Sequence, residues 1–319
     1  MDRILRLAKE YSKSQHLKLL PHGDKNILQN LNFIYDSDWE RSAIYPYEVL
    51  TYLFDCYYVL PERPDLASLF CWQAINHSYY THQLEIGSIG KIKDTKGIKL
   101  ICDAILSEWN QKYKKILIPY LQKLPLKSFR YVASYMLKGY AIERNNIEIK
   151  FASSSYSTMK NQIHKLYDIL NESYGRAFCQ ISNPIKKDNG VVFGISDSNK
   201  GKSRDIVHSF SLKLKKLMMD EEVEITPFDK RLPIKKYKFN DREKLLFVLF
   251  GIIYASRCNN FHGNVASRMN SINADIETFN MYTDVFLIEY IILAIYMNIR
   301  NELSDAAMDK LQNNVTLML

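Results

Sequence analysis

Residues 241–264 read DREKLLFVLFGIIYASRCNNFHGN. From Leu245 to Ile253 the run is apolar except for Gly251, too apolar on all sides for a surface helix, so the sequence predicts a core helix over 241–256. Asn240 or Asp241 is placed to cap its start, with acidic residues in the first turn. The run passes directly into Ser256-Arg257-Cys258-Asn259-Asn260-Phe261-His262-Gly263-Asn264, so a core helix meets solvent there. A polar linker follows, then a second apolar helix over 276–299. Two such helices joined by a short polar stretch are expected to pack antiparallel.

Working outward, the chain reads as mostly α. Its 319 residues hold only 11 Gly and 9 Pro, too few for a turn-dense β sandwich, and 47% hydrophobic with 24% charged residues is a globular balance. Helices are expected over 47–60, 64–81, 98–117 and 126–142, with Pro61, Pro64, Pro119 and Pro125 as breaks. Pro64 followed by Asp65 is a good opening turn. Gly87, Gly90 and Gly97 with Lys91, Lys93 and Lys96 mark a basic loop. The polar stretch 144–155 suggests a boundary, giving a helical N-terminal domain over 1–150 and a second helical domain over 151–319. In the second, helices are expected over 156–178 and 203–219. A small β-hairpin insertion is expected around Val191–Ile195, and an irregular segment over 220–240.

The formal net charge of +8 attracts polyanions, nucleic acid or an anionic membrane surface, and fits a solubilising charge with no partner equally well. Lys235, Lys236 and Lys238, interleaved with Tyr237 and Phe239, form a candidate RNA track, because aromatics stack on bases while lysines meet phosphates. Lys186, Lys187, Lys200, Lys202 and Arg204 flank the hairpin as a second basic group. Five scattered cysteines form no Cys-x-x-Cys or Cys/His cluster, so no structural zinc, no metal centre and no cofactor are expected. The first 20 residues lack the apolar core of a signal peptide, and the run 285–297 is interrupted by Glu289. A cytoplasmic protein without a membrane span is the resulting expectation.

Arg257 and His262 are the residues with chemistry to offer. As a spacing alone they say little, since about one Arg-x4–6-His match arises by chance in such a chain. Their position at the end of a core helix beside two Asn says more. RNA is cut when its 2′-OH attacks the adjacent phosphorus, a step that needs proton transfer and a cation for the phosphate. Histidine titrates near neutrality, and a helix C-terminus favours its protonated form. Arginine keeps its charge and grips two phosphate oxygens. Without any catalysis, the same two residues would be cations stabilising a helix end.

The stretch Tyr254-Ala255-Ser256-Arg257 leading to His262-Gly263, set between two long apolar helices, resembles the HEPN superfamily of helical domains, many of them ribonucleases with an Arg-x4–6-His motif. The resemblance covers the chain from about Tyr156 onward. It implies a HEPN-like bundle and metal-independent endoribonuclease activity leaving a 2′,3′-cyclic phosphate, in the setting of a toxin or antiviral defence effector. Members often carry Asn, Asp or His directly after the Arg; here Cys258 stands there, which leaves the auxiliary polar role to Asn259. Asn264 stands where members paired with a nucleotidyltransferase antitoxin often have Tyr, so modification at that site is not implied. On one ideal helix, five residues turn through about 500°, pointing Arg257 and His262 about 140° apart. Either the helix loosens between them or two chains share a site. The family implies the latter, so a homodimer with a composite site and Asn260 near the cleft is expected, with an antitoxin or other regulatory partner as a further candidate. The alternatives are a silent RNA- or nucleotide-binding module and a helical protein-interaction scaffold. Glu289 is expected either as a core acid satisfied by a nearby cation or as a group orienting Arg257.

Overall fold

A computed structural model describes residues 7–23, 26–87, 93–188, 190–261, 268–271 and 274–318. The fold is mostly helical, with 72% helix and 5% strand, so the α class and the small hairpin are as expected. The chain divides into two compact units, Met1–Lys123 with Asn259–Leu319, and Leu124–Cys258. The division falls elsewhere than the boundary expected near residue 150. The reason is that the Leu126–Arg144 helix packs lengthwise on Lys200–Met218, which draws it into the second unit.

In the first unit, Pro64–Glu85 packs between Tyr47–Val59 and Ile276–Ile299. Pro64 opens its helix as the sequence suggests, and Asp65 takes both Nε and a terminal nitrogen of Arg63 at 2.8 and 2.7 Å. The helix runs past Thr81 to Glu85. Pro119 does not break its segment: it lies within Lys114–Gln122 without full burial, where water can serve the carbonyl its missing N–H would have bonded.

Asp275 caps Ile276–Ile299 by accepting from the Thr278 N–H at 2.8 Å. This helix has 24 residues, long and apolar enough by length and composition to cross a membrane, although the run read from the sequence is the shorter 285–297, interrupted by Glu289. Burial decides its character instead. Its most apolar window is 94% buried against neighbouring helices, as a core helix would be.

In the second unit, Tyr156 marks the closest packing. Its buried ring lies where a Cβ on Gly139 would come within 2.3 Å, and its hydroxyl donates to Glu143 Oε2 at 2.6 Å. Only a glycine lets the two helices approach so nearly. Gly139→Ala is therefore expected to cost about 1–3 kcal/mol, since neither ring nor backbone can move aside cheaply. A urea titration checks this, and a loss below about 0.5 kcal/mol would mean the packing relaxes freely.

The helix expected over 156–178 is interrupted. Ile163 turns out of helical geometry (φ −131°, ψ 80°) to bury its side chain, separating Ser154–Gln162 from His164–Ile169. A π turn, Leu170–Tyr174, then leads into Gly175–Ile181. Asn183–Lys187 and Gly190–Gly194 form the antiparallel hairpin, pairing Ile185 with Val192. The segment read as irregular carries a second short ladder, Val223–Ile225 against Lys235–Tyr237.

The two long apolar helices fall in different units, each in its own core. Their expected antiparallel pairing is not what organises either one: Ile276–Ile299 packs on Pro64–Glu85, and Phe247–Tyr254 on Ser154–Gln162.

Candidate functional site

Asn240 starts the helix that leads to Arg257. Its side chain accepts from the Glu243 N–H at 2.8 Å, while a Glu243 carboxylate oxygen accepts from the Asn240 N–H at 2.9 Å, a reciprocal capping box. Asp241–Leu246 then widens into a π-helical stretch, Phe247–Tyr254, before resuming as Ala255–Phe261. Such widened turns shift the register of everything downstream and often lie beside functional residues.

Two tyrosines of the neighbouring Leu126–Arg144 helix hold the stretch in place. Tyr135 donates its hydroxyl to the Gly251 carbonyl at 3.0 Å, and Tyr131 donates to the Ala255 carbonyl at 2.9 Å. Burial pushes the Tyr135 phenol well above its ordinary value, so it stays a donor at any working pH. Phe129 stacks on Phe247 with ring centroids 5.8 Å apart, closing the same interface lower down.

Arg257 therefore stands on a helix fixed from the side, two residues beyond the carbonyl that Tyr131 holds. Its guanidinium carbon lies 5.8 Å from the centroid of the Tyr254 ring, and one terminal nitrogen approaches Cys258 Sγ at 3.9 Å. Arg257 is half-buried and Cys258 buried. A guanidinium over an aromatic face keeps its charge while presenting part of its planar fork, which suits a phosphate.

Removing both hydroxyls, Tyr131→Phe with Tyr135→Phe, should lower stability by about 1–3 kcal/mol, two ordinary buried hydrogen bonds. Chemical denaturation of the whole chain measures it; an unchanged midpoint would mean the carbonyls find other donors.

Asn259 and Asn260 lie on the Ala255–Phe261 helix, and their side chains are outside the described residues. His262 is outside them too, as is Asn264. The candidate RNA lysines, Lys235, Lys236 and Lys238, are described, and two are engaged. Lys235 pairs with Glu172, which also accepts from the Tyr237 hydroxyl at 2.6 Å. Lys236 pairs with Glu222 at 3.1 Å and Glu224 at 3.5 Å, because the ladder sets Glu224 directly opposite it. Lys238 is exposed, and its carbonyl takes the ammonium of Lys165 at 2.8 Å.

Two basic side chains that sequence reasoning passed over meet elsewhere in this unit. Arg130 donates to His208 Nδ1 at 3.3 Å, joining the outer sides of the Leu126–Arg144 and Lys200–Met218 helices. The signal was present as a stripe at helical spacing on each helix, but only the pairing of the two helices reveals it.

Glu289 belongs to the core of the first unit. It is 1% exposed, burial raises its carboxyl well above the ordinary range, and its hydrogen-bonding neighbour is Ser68. The core position is as expected, but its neighbour is a hydroxyl where a cation was expected, so burial and not an ion pair sets its character. That unit also holds a cleft of about 730 Å³ lined by Asp36, Asp38, Glu108, Glu302 and Asp305 with Trp39 and Tyr45. Its carboxylates repel phosphate, so the cleft does not suit RNA. Among the described residues, no group of three or more His, Cys, Asp or Glu side chains is placed to hold a metal ion.

No family model, no curated protein and no solved structure matches this chain.

Proposed function

We propose that the chain is a metal-independent endoribonuclease in which Arg257 neutralises the scissile phosphate and His262 transfers the proton, with Asn259 as an auxiliary polar group. The observation that carries the reading is the seating of Arg257. It follows a π-widened helix, is held by Tyr131 through Ala255, and keeps its guanidinium against the Tyr254 ring. A charged group fixed this way is poised before substrate arrives, which is what stabilising a pentavalent phosphate requires. The reading also draws on the HEPN-like Arg-x4-His spacing and the chain's net charge of +8.

In the reaction, the 2′-oxygen gives up its proton and forms a bond to phosphorus. The bond to the 5′-oxygen breaks, and that oxygen takes a proton as it leaves. A 2′,3′-cyclic phosphate and a free 5′-OH result. The test is an oligonucleotide cut by the wild type in EDTA, remade with one 2′-deoxy nucleotide at the cleavage point. Loss of cutting at that position alone supports the reading; cutting that persists there would end it, because no 2′-oxygen attacks.

We propose further that two copies share the site. Mixed Arg257→Ala and His262→Ala chains then hold one intact site in each mixed dimer, so about a quarter of wild-type activity should return on mixing. No return would place both residues in one chain.

A further inference from the structure

The outer faces of two packed helices in the second unit carry a line of cations that the ribonuclease chemistry has not used. On Leu126–Arg144, Lys127, Arg130, Ser134 and Lys138 recur at spacings of three and four, one stripe of a helix. On Lys200–Met218, Lys200, Arg204 and His208 do the same. The two helices run antiparallel: Arg130 meets His208, while Lys138, two turns later, stands 5.9 Å over the ring of Phe193, on the strand seven residues ahead of the start of Lys200–Met218. The stripes therefore face each other across one groove. Arg130 lies beside His208, and the spacing of four on both helices carries Ser134 and Lys138 along the groove in the direction of Arg204 and Lys200.

Arg130, Lys138, Lys200, Arg204 and His208 are exposed. Lys200 is paired with Asp197 at 2.6 Å, and Asp205 lies on the neighbouring stripe; neither stripe itself contains an acid. Because arginine can only donate, His208 Nδ1 is the acceptor in its bond to Arg130, which leaves the ring proton on Nε2 as a further donor. From Lys127 to Lys138 the groove extends about 17 Å at 1.5 Å per residue, long enough for several successive phosphates.

At the Arg130 end of this groove the Leu126–Arg144 helix also touches, on its adjacent side, the segment that carries Arg257. Tyr131, next in sequence to Arg130, is the residue whose hydroxyl holds the Ala255 carbonyl. We infer that a single-stranded RNA backbone lies along the groove between Leu126–Arg144 and Lys200–Met218, bound through its phosphates to Arg130, Arg204, His208 and Lys138, and passes from there to Arg257. The inference rests on the ribonuclease reading for the identity of the polyanion. It specifies a single strand because in-line attack needs a 2′-oxygen opposite its leaving group, which an A-form duplex withholds. It also moves the track away from Lys235 and Lys236, whose charges are already met by Glu172, Glu222 and Glu224.

The test uses 2′-O-methyl oligouridylate, which binds as RNA does but cannot be cut, with fluorescence anisotropy over a salt series. The triple variant Arg130→Gln/Lys138→Gln/Arg204→Gln should bind at least about tenfold more weakly than wild type. Its log–log salt slope should be shallower by about 2, at about 0.7 for each single-strand phosphate no longer neutralised. Lys235→Gln/Lys236→Gln should lose less. Thermal melting of each variant confirms that exposed helix positions tolerate Gln. Triple-variant binding within twofold of wild type, or a larger loss in the lysine pair, overturns the groove while leaving the ribonuclease reading standing. A wild type that binds no RNA at all removes both.

Discussion

His262→Ala is expected to slow RNA cleavage by about 10²–10⁴-fold, the usual worth of a positioned general acid or base. Arg257→Ala should cost about 10²–10³-fold, comparable with losing one preorganised donor aimed at developing charge. Arg257→Lys separates charge from geometry. A lysine keeps the positive charge but not the planar fork or the stacking on Tyr254, so it should recover only part of the loss. The three variants need one control, namely binding of 2′-O-methyl oligouridylate. His262→Ala should bind nearly as wild type, because its role is in the step and not in the grip. Arg257→Ala should bind more weakly, having one phosphate fewer to hold. Rates within threefold of wild type for both alanine variants would remove these residues from the chemistry.

Glu289→Gln is expected to change how stability depends on pH. Glu289 is buried in the first unit and its carboxyl titrates well above the ordinary carboxylate range, because burial penalises its charged form. Between the unfolded value, about 4.3, and the raised folded value, the unfolded chain has released this proton and the folded chain still holds it. In that window the unfolded state binds fewer protons, so rising pH favours unfolding, by up to about 1.4 kcal/mol per pH unit from this group. Its full contribution is present below the unfolded value and is lost as pH rises towards the folded one. Glutamine keeps the shape and removes the titration. The variant and wild type should therefore match near pH 4 and diverge upward, with the variant the more stable of the two near pH 7. Comparing the two chains by urea denaturation at each pH cancels Asp36, Glu143 and Asp305, whose lowered values act in the opposite direction. Parallel curves would mean that Glu289 is solvated or paired in the folded protein.

Much of the fold was legible because it rests on local rules. Pro64 with Asp65 marks a helix start, Asn240 with Glu243 marks another, and Ile276–Ile299 is apolar enough to announce itself. The hairpin followed from the β-like run Val191–Ile195 with Pro184, Gly190, Gly194 and Gly201 around it, and its strand is Gly190–Gly194. What the sequence concealed depends on tertiary choice. Nothing local says that Leu126–Arg144 selects Lys200–Met218 as its partner, and that choice moves the boundary to residue 124. The same choice hid the Arg130–His208 pair, since residues 78 apart become neighbours only once the helices pack. The π turn at Phe247–Tyr254 was equally hidden, because an uninterrupted apolar run reads as an ordinary helix. Tyr131 and Tyr135, which hold it, lie more than 100 residues upstream. The ion pairs of Lys235 and Lys236 were hidden for a related reason: charge was visible in the sequence, while Glu172, Glu222 and Glu224 are brought up by the ladder and its surroundings.

The measurement that bears most directly on the ribonuclease account is a time course of total RNA and purified tRNA in EDTA, with wild type, Arg257→Ala and His262→Ala side by side and the product ends identified. The account predicts discrete fragments ending in 2′,3′-cyclic phosphate and 5′-hydroxyl with wild type, and intact RNA with both variants over the same interval. Uncut RNA with wild type at high protein concentration, or identical fragments from all three chains, would contradict it.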